Sequence, residues 1–194
     1  MNTFCEHCID LKELPGNPSG SESKIGGYNT YTAKGSKKGS IVIATDIYGN
    51  GITNPKIVAD TLSQKTGFSV YVPDIFPGGP INPKDFILPS KASDGPPGEE
   101  AMGKNFENFG AWMGKDNGPD KTYPIFKSVV EELGKSGPVG AIGYCYGGKL
   151  AYLASADSVV KGIALYHPSL LEPQEASNVK TPILINEAEL DPCE

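Results

Sequence analysis

An α/β fold with a doubly wound, mostly parallel sheet is what this sequence of 194 residues predicts, on three observations. Short β-branched runs alternate with stretches of helical periodicity along the chain. One run, Ile41-Val42-Ile43-Ala44, is apolar without interruption, as in a strand covered on both faces. The side chains best suited to chemistry, Asp46, Asp74, Cys145, His167 and Asp191, all follow predicted strands. In such sheets the carboxyl ends of the strands are where functional groups gather.

Each element has its own signal. Residues 1–20 show little periodicity and read as an arm. Their Cys5-Glu6-His7-Cys8 cluster lacks a second ligand pair and a preceding strand, so these thiols are expected to play no metal or redox role. Loose alternation over residues 26–33 predicts an edge strand. After the run at 41–44 comes a helix: Thr53 or Asn54 caps it, Pro55 fits its first turn, Ile57, Val58 and Leu62 face inward, and Gly67 ends it. Residues 68–72 form a second buried strand, stopped by Pro73-Asp74. Residues 76–118 are dense in glycine and proline and too long for an ordinary connection. Their apolar side chains, among them Phe76, Ile81, Phe86, Phe109 and Trp112, favour a cap of short helices over a solvated linker. Asp120 opens another helix with Phe126, Val129, Val130 and Leu133 on one face. Residues 162–166 and 182–186 supply two more strands.

The stretch Gly143-Tyr144-Cys145-Tyr146-Gly147-Gly148 is the most informative. A short buried strand, residues 139–142, leads into it and helix-compatible residues 149–154 follow. Strand, glycine-flanked residue, helix is the layout of a nucleophile elbow, here with cysteine at its tip. Bulky residues two before and two after the nucleophile would clash in so tight a turn, which gives Gly143 and Gly147 a steric reason. The positive end of the following helix would stabilise a thiolate. The alternative is a buried structural cysteine in a glycine-rich turn.

Composition removes several classes of partner. A net charge of −6 argues against nucleic acid and anionic membrane surfaces. No apolar run approaches the ~20 residues of a spanning helix. Residues 1–10 lack the basic start and apolar centre of a secretory signal, so reduced thiols and a cytoplasmic location are expected. All 17 basic residues are lysines. An anionic substrate would have to be held without the planar guanidinium fork that usually clamps a carboxylate.

Four segments, Ile41 to Gly49, Tyr71 to Phe76, Gly143 to Gly148 and Ala188 to Asp191, resemble the dienelactone hydrolase family in order and spacing, from about residue 25 to the end. The family is a cysteine branch of the α/β-hydrolase fold. The resemblance implies an arm over residues 1–24 and a hydrolase domain over 25–194, with 76–118 as a cap at the substrate entrance. It implies a Cys–His–Asp triad with Cys145 as nucleophile and Asp191 as acid, and an oxyanion hole from the backbone N–H groups of Tyr146 and Ile47. Asp46 stands where relatives carry a glutamate that contacts the nucleophile; it reads equally as a turn carboxylate bonding local amides. No metal or organic cofactor is implied. The family's base follows the acid by some tens of residues, whereas the two histidines here are His7 and His167. A shortened form without the last strand, base and helix, with weak turnover, is therefore expected. His167 precedes Asp191, out of family order. It either approaches the pocket or is a structural histidine before Pro168. The resulting expectation is a monomeric hydrolase of a small ester or lactone, working through a cysteine thioester. A non-catalytic, hydrolase-like protein that binds a small molecule or a partner is the alternative.

Overall fold

Alternation of side chains along the central strands assigns each face of the sheet its own core. The computed structural model describes residues 14–86 and 98–187; Cys5, His7, Cys8 and Asp191 lie outside them. The strands are β1 (Ser21–Ile25), β2 (Tyr28–Ala33), β3 (Lys37–Ala44), β4 (Phe68–Pro73), β5 (Val139–Tyr144), β6 (Val160–Tyr166) and β7 (Ile183–Asn186). The helices are α1 (Asn54–Thr66), α2 (Glu99–Trp112), α3 (Pro119–Gly134) and α4 (Tyr146–Ala154). In space the strands run β1-β2-β4-β3-β5-β6-β7. β1 and β2 form an antiparallel hairpin that joins β4 antiparallel, and every pairing from β4 to β7 is parallel.

Val42 and Ala44 of β3, Val139 and Ala141 of β5, and Ile163 and Leu165 of β6 face α3 and α4 in the larger core. The intervening Ile41, Ile43 and Ile142 face the opposite side, where Val70 and Val72 of β4 and Val58, Ala59 and Leu62 of α1 form the second core. Helices on both faces make the sheet doubly wound, as the uninterrupted apolar strand requires. α3 packs its Phe126, Val129, Val130 and Leu133 stripe as expected. α1 ends on Gly67, whose φ of 80° lets its N–H reach the Ser63 carbonyl.

One expectation needs correction. The strand expected at the edge, β2, lies inside the sheet, and the edge is β1. β1 falls mostly within the stretch read as an arm, because four of its five side chains are exposed and leave no apolar period. The described parts of 76–118 hold a 3-10 turn at Pro83–Asp85, one helix of 14 residues, α2, and a π turn at Met113–Asn117, and they bury Phe76, Ile81, Phe86 and Trp112 in the larger core. Glycines 103 and 110 and the scattered aromatics hide the periodicity of α2 in the sequence.

Candidate active site

β5 and α4 meet at Cys145, whose backbone adopts φ 50° and ψ −116°. That region is sparsely populated for any residue with a side chain and costs about 1–3 kcal/mol. The surroundings force it. A Cβ on Gly143 would lie 2.4 Å from the Gly147 carbonyl oxygen, and one on Gly147 would lie 2.1 Å from the Ala44 carbonyl oxygen. α4 thus starts directly against the ends of β3 and β5, and only glycine permits the approach. Gly148 has a reason of its own, since its Cβ would come within 2.6 Å of Pro168.

Hydrogen bonds then fix the elbow peptide. The Cys145 N–H donates to the Tyr166 carbonyl at 3.0 Å, and the Cys145 carbonyl accepts from Gly148 at 2.9 Å and Ser169 at 3.1 Å. Below it the rings of Tyr144 and Tyr166 stack with centroids 5.0 Å apart. Cys145 is a reduced cysteine, buried to 6% exposure.

Asp46 follows β3, the strand beside β5. Its Oδ1 accepts the Tyr48 N–H at 2.9 Å, so it is a turn carboxylate. It also lies within electrostatic reach of Cys145. Burial, and after it the negative charge of Cys145, push the Asp46 carboxyl up from an ordinary 3.8 to about 6; the turn amides and His167 pull the other way. Asp46, Cys145 and His167 therefore share one electrostatic neighbourhood. The parallel register explains it: Tyr144 pairs with Tyr166, so the residue after each strand lands at the same carboxyl end of the sheet.

His167, treated in the sequence chiefly as structural, is the group this arrangement adds. Its φ is 39°, and its N–H continues the β6–β7 ladder to the Asn186 carbonyl at 2.8 Å. The sequence signal for it was its place after a strand and before Pro168. The segment behind it is anchored by Lys149 of α4, whose Nζ lies 2.6 Å from Glu175 Oε1, with side chains only 7% and 18% exposed.

Of the two expected oxyanion donors, Tyr146 directly follows Cys145 and Ile47 directly follows Asp46. Tyr146 is the first residue of α4, where backbone N–H groups have no acceptor within the helix, and Ile47 sits in the turn after β3. Both residues are buried. Asp74, by contrast, is not part of the group. Burial raises its carboxyl, and the charges that reach it are those of Glu22 and Lys56. Among the described residues, no group of three or more His, Cys, Asp or Glu side chains could hold a metal ion, and no helix is long and apolar enough to cross a membrane.

Hydrolase tropI of Talaromyces stipitatus is 29% identical over 182 residues, covering 91% of this chain and 67% of its own length. Hydrolase pyvD of Aspergillus violaceofuscus is 28% identical over 192 residues, covering 95% and 69%. This chain thus spans about two thirds of those relatives. Among solved structures, dienelactone hydrolase from Anabaena variabilis aligns at 16% identity and a TM-score of 0.45, covering 86% of this chain and 71% of that one. The sequence profile of the dienelactone hydrolase family matches residues 25–193. With that match over most of its length, this chain belongs to the dienelactone hydrolase family of α/β hydrolases.

Proposed function

We propose that this chain hydrolyses a small ester or lactone through Cys145. The observation that carries the reading is the backbone of Cys145, held in a sparsely populated conformation at the start of α4 and beside a carboxyl raised to about 6. Strain and a strongly perturbed titration at one point of the strands' carboxyl ends are what a working nucleophile needs and a packing cysteine does not.

In the proposed reaction the Cys145 thiolate attacks the carbonyl carbon. The carbonyl π electrons move onto oxygen, where the N–H groups of Tyr146 and Ile47 take the charge. Collapse of this intermediate breaks the carbon–oxygen bond, leaves a thioester on Sγ and expels an alkoxide, which takes a proton. Asp46 and His167 are the groups beside Cys145 able to hold and return that proton. Water then adds to the thioester and the thiolate leaves. In the family the acid at the Asp191 position orients the histidine that activates the water; in this sequence the histidine beside Asp46 and Cys145 is His167. Apolar side chains of residues 76–118 would form the substrate walls. The protein would act as a cytoplasmic monomer on a small molecule, with no cofactor.

The test is acylation and turnover with a series of p-nitrophenyl esters beginning with the acetate, on the wild type and on Cys145→Ala. Loss of hydrolysis in the variant supports the reading. An unchanged low rate would favour a non-catalytic binding protein. Alkylation by iodoacetamide that spares Cys145 while modifying Cys5 and Cys8 would also sink it.

A further inference from the structure

We infer that Asn117 is a positioning residue that holds the two oxyanion-hole loops in one frame. The inference rests on the proposed use of the Ile47 and Tyr146 amides. Those amides belong to different elements, the turn after β3 and the first turn of α4. The elbow packs α4 against the end of β3, but the turn that carries Ile47 lies beyond that contact and needs a further tie to hold it.

Asn117 does so from behind. It is fully buried at 0% exposure and follows a kink in which Asp116 has φ 64°. Its Oδ1 accepts the Gly78 N–H at 3.1 Å. Its Nδ2 donates to the Gly79 carbonyl at 3.0 Å and to the Trp112 carbonyl at 3.2 Å. Its own carbonyl accepts the Tyr146 hydroxyl at 2.6 Å. The amide side chain is thereby satisfied on both ends, and the residue is tied to two separate loops.

Each tie leads to one donor. On one side the Tyr146 ring, boxed by Phe76 and Trp112 with centroids 5.4 and 5.6 Å away, fixes the residue whose N–H is a proposed donor. Thr122 shares the Tyr146 hydroxyl at 2.7 Å. On the other side the loop gripped by Asn117 continues to Ile81, whose N–H donates to the Ile47 carbonyl at 2.9 Å. The path Tyr146–Asn117–Gly78/Gly79–Ile81–Ile47 is a chain of hydrogen bonds and short covalent links. The loop lies directly against the kink, since a Cβ on Gly78 would stand 1.8 Å from the Lys115 carbonyl oxygen. A buried network with every member satisfied is rigid, and removing one amide leaves several backbone groups unpaired.

Two reactions of Cys145 separate positioning from general support. Acylation by p-nitrophenyl acetate builds an oxyanion; alkylation by iodoacetamide displaces iodide at a saturated carbon and builds none. In Asn117→Ala the single-turnover acylation rate is expected to fall roughly 10- to 100-fold, below the full loss of a donor, while alkylation stays within about 2-fold of wild type. Parallel falls in both rates would make Asn117 merely structural, and no change in either would overturn the inference. Tyr146→Phe, which removes only the hydroxyl tie, covers the case in which Asn117→Ala does not fold. It should slow acylation by several-fold and spare alkylation, and an acylation rate equal to wild type would refute the inference. A wild-type protein that is alkylated at Cys145 but never acylated would instead overturn the hydrolase reading, and this inference with it.

Discussion

Asp46→Asn should make the protein more stable at neutral pH, and the gain should fade in acid. In the unfolded chain this carboxyl loses its proton near 3.8; in the folded protein it holds on to about 6. Between those values the folded state binds more protons, so stability falls as pH rises through the window. Above the folded value the penalty is constant, about 2 units at ~1.4 kcal/mol each, or about 3 kcal/mol. Near pH 4.5 the same two values leave about 1 kcal/mol, because most unfolded chains have not yet gained much by ionising. Asparagine keeps an oxygen to accept the Tyr48 N–H that Asp46 Oδ1 takes at 2.9 Å, although a neutral acceptor is weaker by about 1 kcal/mol. The expected net gain is therefore about 2 kcal/mol near pH 8, shrinking towards zero or reversing near pH 4.5. Urea unfolding of both proteins across that range measures it, with unchanged slopes ensuring a common reaction. The causes can be separated too. Cys145→Ala removes a charge that raises the Asp46 carboxyl, and His167→Gln removes one that lowers it. The pH at which the stability difference bends should move down in the first and up in the second. A gain independent of pH, or Asp46→Asn being the less stable protein near pH 8, would refute the reasoning.

Other perturbations follow from the packing. Gly147→Ala places a methyl 2.1 Å from the Ala44 carbonyl oxygen and should cost at least about 3 kcal/mol, read by urea unfolding, together with Cys145 acylation. Gly103→Ala, in the interior of α2 with nothing within 4 Å of its new Cβ, should instead raise stability by about 0.5–1 kcal/mol. Lys149→Met leaves the partly buried Glu175 without its partner at 2.6 Å and should cost about 3 kcal/mol; adding Glu175→Gln to it should return most of that. Equal losses in the single and double variants would show that packing, not charge, is at stake.

The elbow was legible in the sequence because its constraints are local. Gly143 and Gly147 sit two residues from Cys145, and a turn that tight excludes side chains wherever it occurs. The central strands were legible for a similar reason, since burial on both faces leaves an uninterrupted run such as Ile41 to Ala44. β1 was not, because an exposed edge strand needs backbone partners and not a pattern of side chains. Asn117 was out of reach for a different reason. In the sequence it is an ordinary turn former before Gly118-Pro119, and its side-chain partner Gly78 lies 39 residues away. His167 was half legible: its place after a strand was visible, but its approach to Asp46 depends on the register that sets Tyr144 beside Tyr166.

The segment between β4 and α3 changes meaning once its packing is known. A cap that merely covers a substrate can be removed or replaced while the domain beneath stays folded. Here Phe76 and Trp112, with ring centroids 5.0 Å apart, enclose Tyr146, and the Trp112 indole N–H donates to Gly79 at 2.9 Å. The same residues that would line an entrance also brace the first turn of α4 from the side away from the sheet. Strain at Cys145 persists only if its surroundings over-determine it, and this brace supplies constraints that the sheet cannot. Variation in the segment would then alter two properties at once, the shape offered to a substrate and the aim of the Tyr146 amide.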